Sequence, residues 1–136
     1  MCKFCDLASD QAVVFEDDGR VAYAYLQEDG KIIGDVWLYN HGTPPPEPEW
    51  KDKARPPYRN PRGFVSSTRF KPVRACRDIS AIWLPATNGG AEVEIWIRGA
   101  SHARLIRGSK PGWCVLAGRD GPLAKTLGPS GEARCA

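Results

Sequence analysis

Two strand-like segments joined by a tight turn constrain the fold of this chain more than any other feature. Arg20–Gln27 (RVAYAYLQ) and Lys31–Asn40 (KIIGDVWLYN) are rich in β-branched and aromatic residues, and they flank the turn signal Asp29-Gly30. An earlier apolar run, Ala12–Phe15, precedes a second turn signal at Asp18-Gly19. The pattern predicts three consecutive antiparallel strands in one sheet.

The length of the turn sets the register of this hairpin. If the turn holds two residues, Tyr25 faces Gly34, and Ala22 faces Trp37. Each pair places a large side chain against a small one, which favours cross-strand packing. A three-residue turn would change these pairs.

Strand signals resume in the second half of the chain. The further candidate strands are Gly63–Ser67, Phe70–Ala75, Ile79–Leu84, Glu92–Arg98, Ala103–Arg107 and Trp113–Ala117. Val93, Ile95 and Ile97 alternate with polar neighbours, which predicts a half-buried antiparallel strand. The loop of the hairpin before it is expected at Asn88-Gly89-Gly90.

One short helix is predicted near the C-terminus. It would cover Pro122–Leu127, with Asp120 near its N-cap and Gly128 after its end. With 136 residues the chain fits a single domain, 1–136. The predicted fold is mainly β, either an antiparallel β-sandwich or a strongly bent β-meander, with this one short C-terminal helix.

A proline-rich segment at 41–62 interrupts the strand pattern. It holds most of the chain's prolines, including Pro44-Pro45-Pro46 and Pro56-Pro57. Proline cannot donate to a strand ladder or continue a helix, so an extended surface loop or polyproline II is expected. A loop of this length inside one domain is uncommon and often functional.

Charge is segregated along the chain. Residues 1–50 hold ten acidic and three basic side chains, whereas residues 51–77 hold nine basic side chains and one acidic. A cationic partner would meet the acidic half. The candidate partner-binding residues there are Glu16, Asp17, Asp18, Glu28, Asp29 and Asp35. Acidic residues beside glycine are also ordinary turn chemistry.

The basic half suggests a different partner. The basic segment 51–77 interleaves lysine and arginine with the aromatic residues Trp50, Tyr58, Phe64 and Phe70, a combination that holds single-stranded nucleic acid. In this alternative the RNA-binding residues are Arg55, Arg59, Arg62 and Arg69. The same aromatic residues could instead anchor a solvated loop to the domain.

Chemistry-bearing residues are sparse. Cys2 and Cys5 have the spacing of half a zinc site, which Cys76 and Cys114 could complete through the fold. The simpler expectation is reduced cysteines and no metal or other cofactor. His102 with Arg104 and Glu94 could form an acid–base pair. Single-sequence adjacency does not establish that geometry, and a histidine on a polar strand face is commoner, so no catalytic residue is predicted.

The N-terminal residues and the length of the apolar runs predict the cellular compartment of the protein. The N-terminus has no apolar core of a signal peptide, and no apolar run approaches the roughly 20 residues of a spanning helix. A cytoplasmic protein with reduced thiols is therefore expected, with no membrane contact.

As a whole, the chain resembles the immunity proteins of bacterial polymorphic toxin systems, such as contact-dependent growth inhibition. The resemblance rests on the small domain, the hairpins around GDVWLYN (Gly34–Asn40), and KPGWCVLAGRDGPLAKTL (Lys110–Leu127). It implies a non-enzymatic cytoplasmic antidote that binds a cognate toxin domain, most simply a nuclease, and blocks its active site. The alternative is the small RNA-binding protein described above.

Overall fold

Two β-sheets form the structure. The computed structural model describes residues 1–7, 9–67, 69–84 and 92–127. The first sheet has four antiparallel strands in chain order, β1 (Cys2–Cys5), β2 (Gln11–Asp17), β3 (Val21–Glu28) and β4 (Lys31–Asn40). The expectation of consecutive antiparallel strands in this half is confirmed, and the fold is mainly β.

The second sheet contains five strands, again in chain order. They are β5 (Ile79–Leu84), β6 (Glu92–Ile97), β7 (Ala100–Ile106), β8 (Trp113–Cys114) and β9 (Lys125–Thr126). All neighbours are antiparallel except β8 and β9, which are parallel. Val93, Ile95 and Ile97 are buried, as their alternation predicted. The loop expected at 88–90 lies outside the described residues.

The β3–β4 hairpin has the predicted register only beside its turn. Glu28 pairs with Lys31 and Gln27 with Ile32, as predicted. An irregularity between Gln27 and Leu26 then shifts every pair that lies farther from the turn. Tyr25 therefore faces Asp35, and a second shift at Ala22 places that residue opposite Tyr39. The predicted pairs Tyr25–Gly34 and Ala22–Trp37 are wrong, because a β-bulge adds a residue to one strand.

The far edge of β4 is bonded to the chain that follows β7. The Asp35 amide donates to the Ser109 carbonyl oxygen at 3.0 Å, and its carbonyl accepts from the Gly112 amide at 2.7 Å. Further along, the Trp37 amide donates to the Leu123 carbonyl at 2.9 Å. These bonds tie the two sheets together over a core that fully buries Trp37 and Leu105.

Three local predictions are wrong. Pro122–Leu127 contains no helix: Lys125 and Thr126 form β9, and the Asp120 carboxylate accepts from the Thr126 amide at 2.8 Å instead of capping a helix. Gly128 lies outside the described residues. At Gly63–Ser67 the chain makes a 3₁₀ turn, Arg62–Phe64, and one isolated bridge. Phe70–Ala75 form no strand, although Phe70 and Val73 pack against the core.

The proline-rich segment has no strand or helix from residue 41 to 61, as predicted. It is nevertheless fixed to the domain. The Asn40 side-chain amide donates to the Asn60 carbonyl at 2.8 Å, and the Asn60 amide donates back to the Asn40 side-chain oxygen at 2.9 Å. Pro44, Pro45 and Pro61 are buried. The segment therefore acts as a wall on the first sheet.

Candidate functional site

A cleft of about 400 Å³ lies where the first sheet meets the proline-rich segment. We call it the tyrosine cleft. Its principal lining residues are Tyr23, Tyr25, Asp35, Pro57, Tyr58 and Leu123. Tyr23 and Tyr25 are two residues apart on β3 and share a face, and the shifted register places Asp35 beside Tyr25 on that face.

The two strand tyrosines stack on each other. Their ring centroids lie 6.0 Å apart with 13° between the ring planes. Tyr23 is buried, and its hydroxyl donates to the Tyr58 carbonyl at 2.6 Å, which holds the proline-rich wall in place. Tyr25 is partly exposed, so its ring forms an accessible surface of the cleft.

Acidic side chains surround Tyr25. Burial, together with the carboxylates of Glu16, Asp35 and Asp18, raises the pKa of Tyr25 to about 12. Glu16 pairs with Tyr23 across β2 and β3, so it lies on the same face as the two stacked rings. The rim of the tyrosine cleft is therefore negatively charged.

Asp35 is the carboxylate within the cleft. It is partly buried, and burial raises the pKa of its carboxyl group above the usual value, while Lys110 acts in the opposite direction. Within the described part of the chain, neither the Asp35 nor the Glu16 carboxylate makes a hydrogen bond or an ion pair. Two carboxylates on this face are thus available to an external cation.

The other predicted acidic residues have structural contacts. Asp17 lies on the opposite face from Glu16 and accepts from the Tyr39 hydroxyl at 2.6 Å. Burial alone would raise the pKa of Asp17, but hydrogen bonds from Tyr39, the Gly19 amide and His41 hold this pKa below its usual value. Glu28 is paired with Arg107, and Asp29 is exposed at the turn. Glu16, Asp18 and Asp35 act electrostatically on Tyr25, whereas Asp17 and Glu28 are bonded elsewhere. Asp18 is itself engaged, because its carboxylate accepts from the Arg20 and Val21 amides and lies 3.9 Å from the Arg20 guanidinium.

The basic segment is partly neutralised by acids near it. Buried Glu49 pairs with Arg59 at 2.7 Å and with Arg20 at 3.4 Å. Hydrogen bonds from Arg59 hold the pKa of Glu49 below its usual value, against the effect of burial. Arg55 pairs with Asp52 at 3.2 Å. Two of the four candidate RNA-binding arginines are therefore engaged within the segment.

The remaining arginines and the aromatic residues do not form one stacking surface. Arg62 and Arg69 are exposed. The Trp50 and Phe64 rings meet edge to face with centroids 5.5 Å apart, and Phe70 packs on Tyr39 at 5.1 Å. These contacts match the anchoring role that the sequence left open as an alternative.

Glu49 should stabilise the wall of the cleft. We expect Glu49→Gln to lower the free energy of unfolding by about 2 kcal/mol. Removing one partner of a fully buried ion pair costs roughly 3–5 kcal/mol, and the loss should be smaller here because both arginines are partly exposed. Urea unfolding measures the change. Asp52→Asn is the matched control, because it removes only an exposed pair. Equal losses in both variants would contradict the prediction.

The histidine considered for catalysis faces the core. His102 Nε2 lies 2.8 Å from the Leu38 carbonyl oxygen, and the Cys114 sulfur is 3.7 Å away. Arg104 instead lies near Glu92 and Glu94, at 3.6 and 3.7 Å. Burial lowers the pKa of His102 to about 4 and raises that of the Cys114 thiol to about 12. His102 and Glu94 therefore do not form the acid–base pair that was weighed from the sequence.

The cysteines are arranged as a disulfide. Cys2 on β1 is bonded to Cys76, so the expectation of reduced thiols is wrong in this structure, and the zinc alternative loses two of its four sulfurs. Cys5 is exposed and Cys114 is buried. In the ranges that the structure describes, no group of three or more metal-ligating side chains is found.

Comparisons with known proteins add no relative. Searches of protein-family models, of curated proteins and of solved structures each returned no match. Among the described residues, no helix has the length and apolar character needed to cross a membrane.

Sequence reasoning missed the tyrosine cleft. The alternation in AYAY places Tyr23 and Tyr25 on one face, and that signal was available. The position of Asp35 beside Tyr25 depends on the bulge, and the Tyr58 wall depends on a contact 35 residues away in the chain. Neither follows from a local pattern.

Proposed function

We propose that this chain is a non-enzymatic binding protein of the immunity type, which binds a basic toxin domain and blocks its active site. The observation that carries the proposal is the tyrosine cleft, where Glu16 and Asp35 leave two carboxylates free of partners among the described residues beside the accessible ring of Tyr25. Such a surface attracts a cationic protein and offers it an aromatic contact.

The buried reactive groups support a binding role over a chemical one. The partly exposed His41 is bonded at 2.7 Å to the Asp17 carboxylate, which also accepts from the Tyr39 hydroxyl. His102 and Cys114 lie in contact, and both are enclosed in the core. A thiol whose pKa is raised and an imidazole whose pKa is lowered are both held neutral at pH 7. The resemblance to immunity proteins implies a cytoplasmic protein, whereas the Cys2–Cys76 disulfide is typical of an oxidising compartment.

Co-purification and a protection assay test the function. The tagged protein, purified gently without chelator from the cells that make it, should give a one-to-one complex with another polypeptide in native mass spectrometry. Expression of that polypeptide alone should stop the growth of a host, and co-expression of this chain should restore it. A captured polypeptide that is harmless, or growth that is not restored, contradicts the proposal.

Glu16→Lys tests the acidic face in the same complex. We expect association to slow by about fivefold at low salt, because a rim charge acts mainly on the association rate. Asp10→Lys is the matched control, since Asp10 is an exposed acid at the opposite end of β2. Equal rates for both variants and the unmodified chain would remove Glu16 from the interface. Recovery of RNA instead, with binding that falls steeply as salt rises, would favour the alternative function.

A further inference from the structure

We propose that the tyrosine cleft receives the side chain of one arginine from the partner, with its guanidinium group paired to Asp35 and stacked on the Tyr25 ring. This inference rests on the proposed function and specifies what its binding site recognises. The occupant would be the central contact of the interface, surrounded by the exposed acids of the rim.

Charge is the first argument for a cationic occupant. Asp35 is partly buried, and its carboxylate makes no hydrogen bond or ion pair with the described residues. Burial of a carboxylate without a partner is unfavourable, as the raised pKa of this group reflects. Glu16 and Asp18 add negative charge around the same tyrosine. Asp18 already lies 3.9 Å from the Arg20 guanidinium, so a cation in the cleft would chiefly offset Asp35 and Glu16.

Among the residues that the structure describes, none supplies that cation. The charge of Arg20 acts on Tyr23, but its guanidinium donates to the Pro57 carbonyl and pairs with Glu49 and Asp18. The guanidinium is therefore already engaged by other groups and makes no ion pair with Asp35. Lys110 acts on Asp35 without coming within salt-bridge distance.

The shape of the cleft favours arginine over lysine. The ring of Tyr25 is partly exposed and parallel to within 13° of the ring of Tyr23. A planar guanidinium stacks on such a ring while it donates two hydrogen bonds to a carboxylate, and it is less strongly hydrated than an ammonium group. Pro57 and Leu123 line the walls and can pack against the methylene groups of an arginine stem.

A small probe tests the site directly. We would titrate N-acetyl-arginine amide into isotopically labelled protein and follow the amide resonances by NMR, with the citrulline equivalent as a neutral isostere. Shifts confined to Tyr25, Asp35 and their strand neighbours are expected for the arginine probe alone. Equal shifts with the citrulline probe, or shifts elsewhere in the protein, would overturn the proposal.

Asp35→Asn supplies the matched variant. The backbone bonds of residue 35 are kept, so the strand should stay intact, and arginine binding should weaken about tenfold with loss of the charge-assisted pair. Asp29→Asn, at the exposed turn, should leave it unchanged. Tyr25→Leu keeps an apolar side chain on β3, and it should also weaken binding. Unchanged binding in both Asp35→Asn and Tyr25→Leu overturns the proposal.

Experiments on the partner complex distinguish a failure of this proposal from a failure of the proposed immunity function. If a growth-inhibiting partner is bound and neutralised equally by the Asp35→Asn variant, the arginine site is wrong and the immunity function stands. If the arginine probe binds as expected but no toxic partner exists, the immunity function fails and the cation site remains.

Discussion

Loss of the Cys2–Cys76 disulfide should lower the free energy of unfolding by about 4 kcal/mol. The bond joins residues separated by 74 positions, and a cross-link that closes so long a loop restricts the unfolded chain strongly. Cys2 is buried on β1, and Cys76 begins the 3₁₀ turn Cys76–Asp78 that leads into β5. The bond therefore connects the outermost strand of the first sheet to the start of the second.

Urea unfolding of the double variant Cys2→Ala/Cys76→Ala, beside the oxidised protein, measures this loss. Cys5→Ala is the control, because Cys5 is a free exposed cysteine on the same strand. Hydrogen exchange should show faster opening of β1 in the double variant. A difference below about 1 kcal/mol would mean that the bond adds little. Trapping of free thiols in intact cells would show whether the pair is bonded in the compartment where the protein works.

Acidification should destabilise the fold through His102, by about 2 kcal/mol at pH 5 and about 3 kcal/mol in total. Burial lowers the pKa of His102 from about 6.5 to about 4 in the folded chain. His102 therefore takes up a proton near pH 6.5 in the unfolded chain, but only near pH 4 in the folded chain. Stability is complete above pH 6.5 and falls as pH drops through this window.

Urea midpoints at pH 7.5, 6 and 5 measure the effect. His102→Gln can still donate a hydrogen bond to the Leu38 carbonyl and carries no titrating group, so its decline should be much smaller. The His41→Gln variant should show the same loss of stability at low pH as the unmodified protein, because it retains His102. The carboxylates of Asp17 and Glu49, whose pKa values are held low, lose their contribution only at lower pH. An equal decline in the His102→Gln protein would contradict the assignment.

The fold was largely predictable because its strands carry local signals. Alternation at Val93, Ile95 and Ile97 matches a strand with one buried face, and the Asp29-Gly30 turn has positive φ at both residues, as a tight hairpin requires. The C-terminal helix was predicted wrongly, because β9 forms by pairing with β8, a contact that no local propensity reveals.

The candidate site was predictable only in part. Glu16, Asp18 and Asp35 were selected for their charge, and the structure places them around Tyr25. Charge alone could not separate Glu16 and Asp35, which have no partner among the described residues, from Asp17, Asp18 and Glu28, which bond to Tyr39, Arg20 and Arg107. Those bonds depend on which face of a strand each residue occupies and on contacts between distant segments.

One wall of the tyrosine cleft belongs to a segment without regular secondary structure. Pro57 and Tyr58 contribute to no strand ladder, whereas Tyr25 and Asp35 are fixed within the first sheet. Substitutions at 56–58 can therefore reshape the cleft without disturbing a β-pair. Under the proposed binding function, changes at a few wall residues would alter which partner the cleft accepts, while the sheet that supplies the charge stays the same.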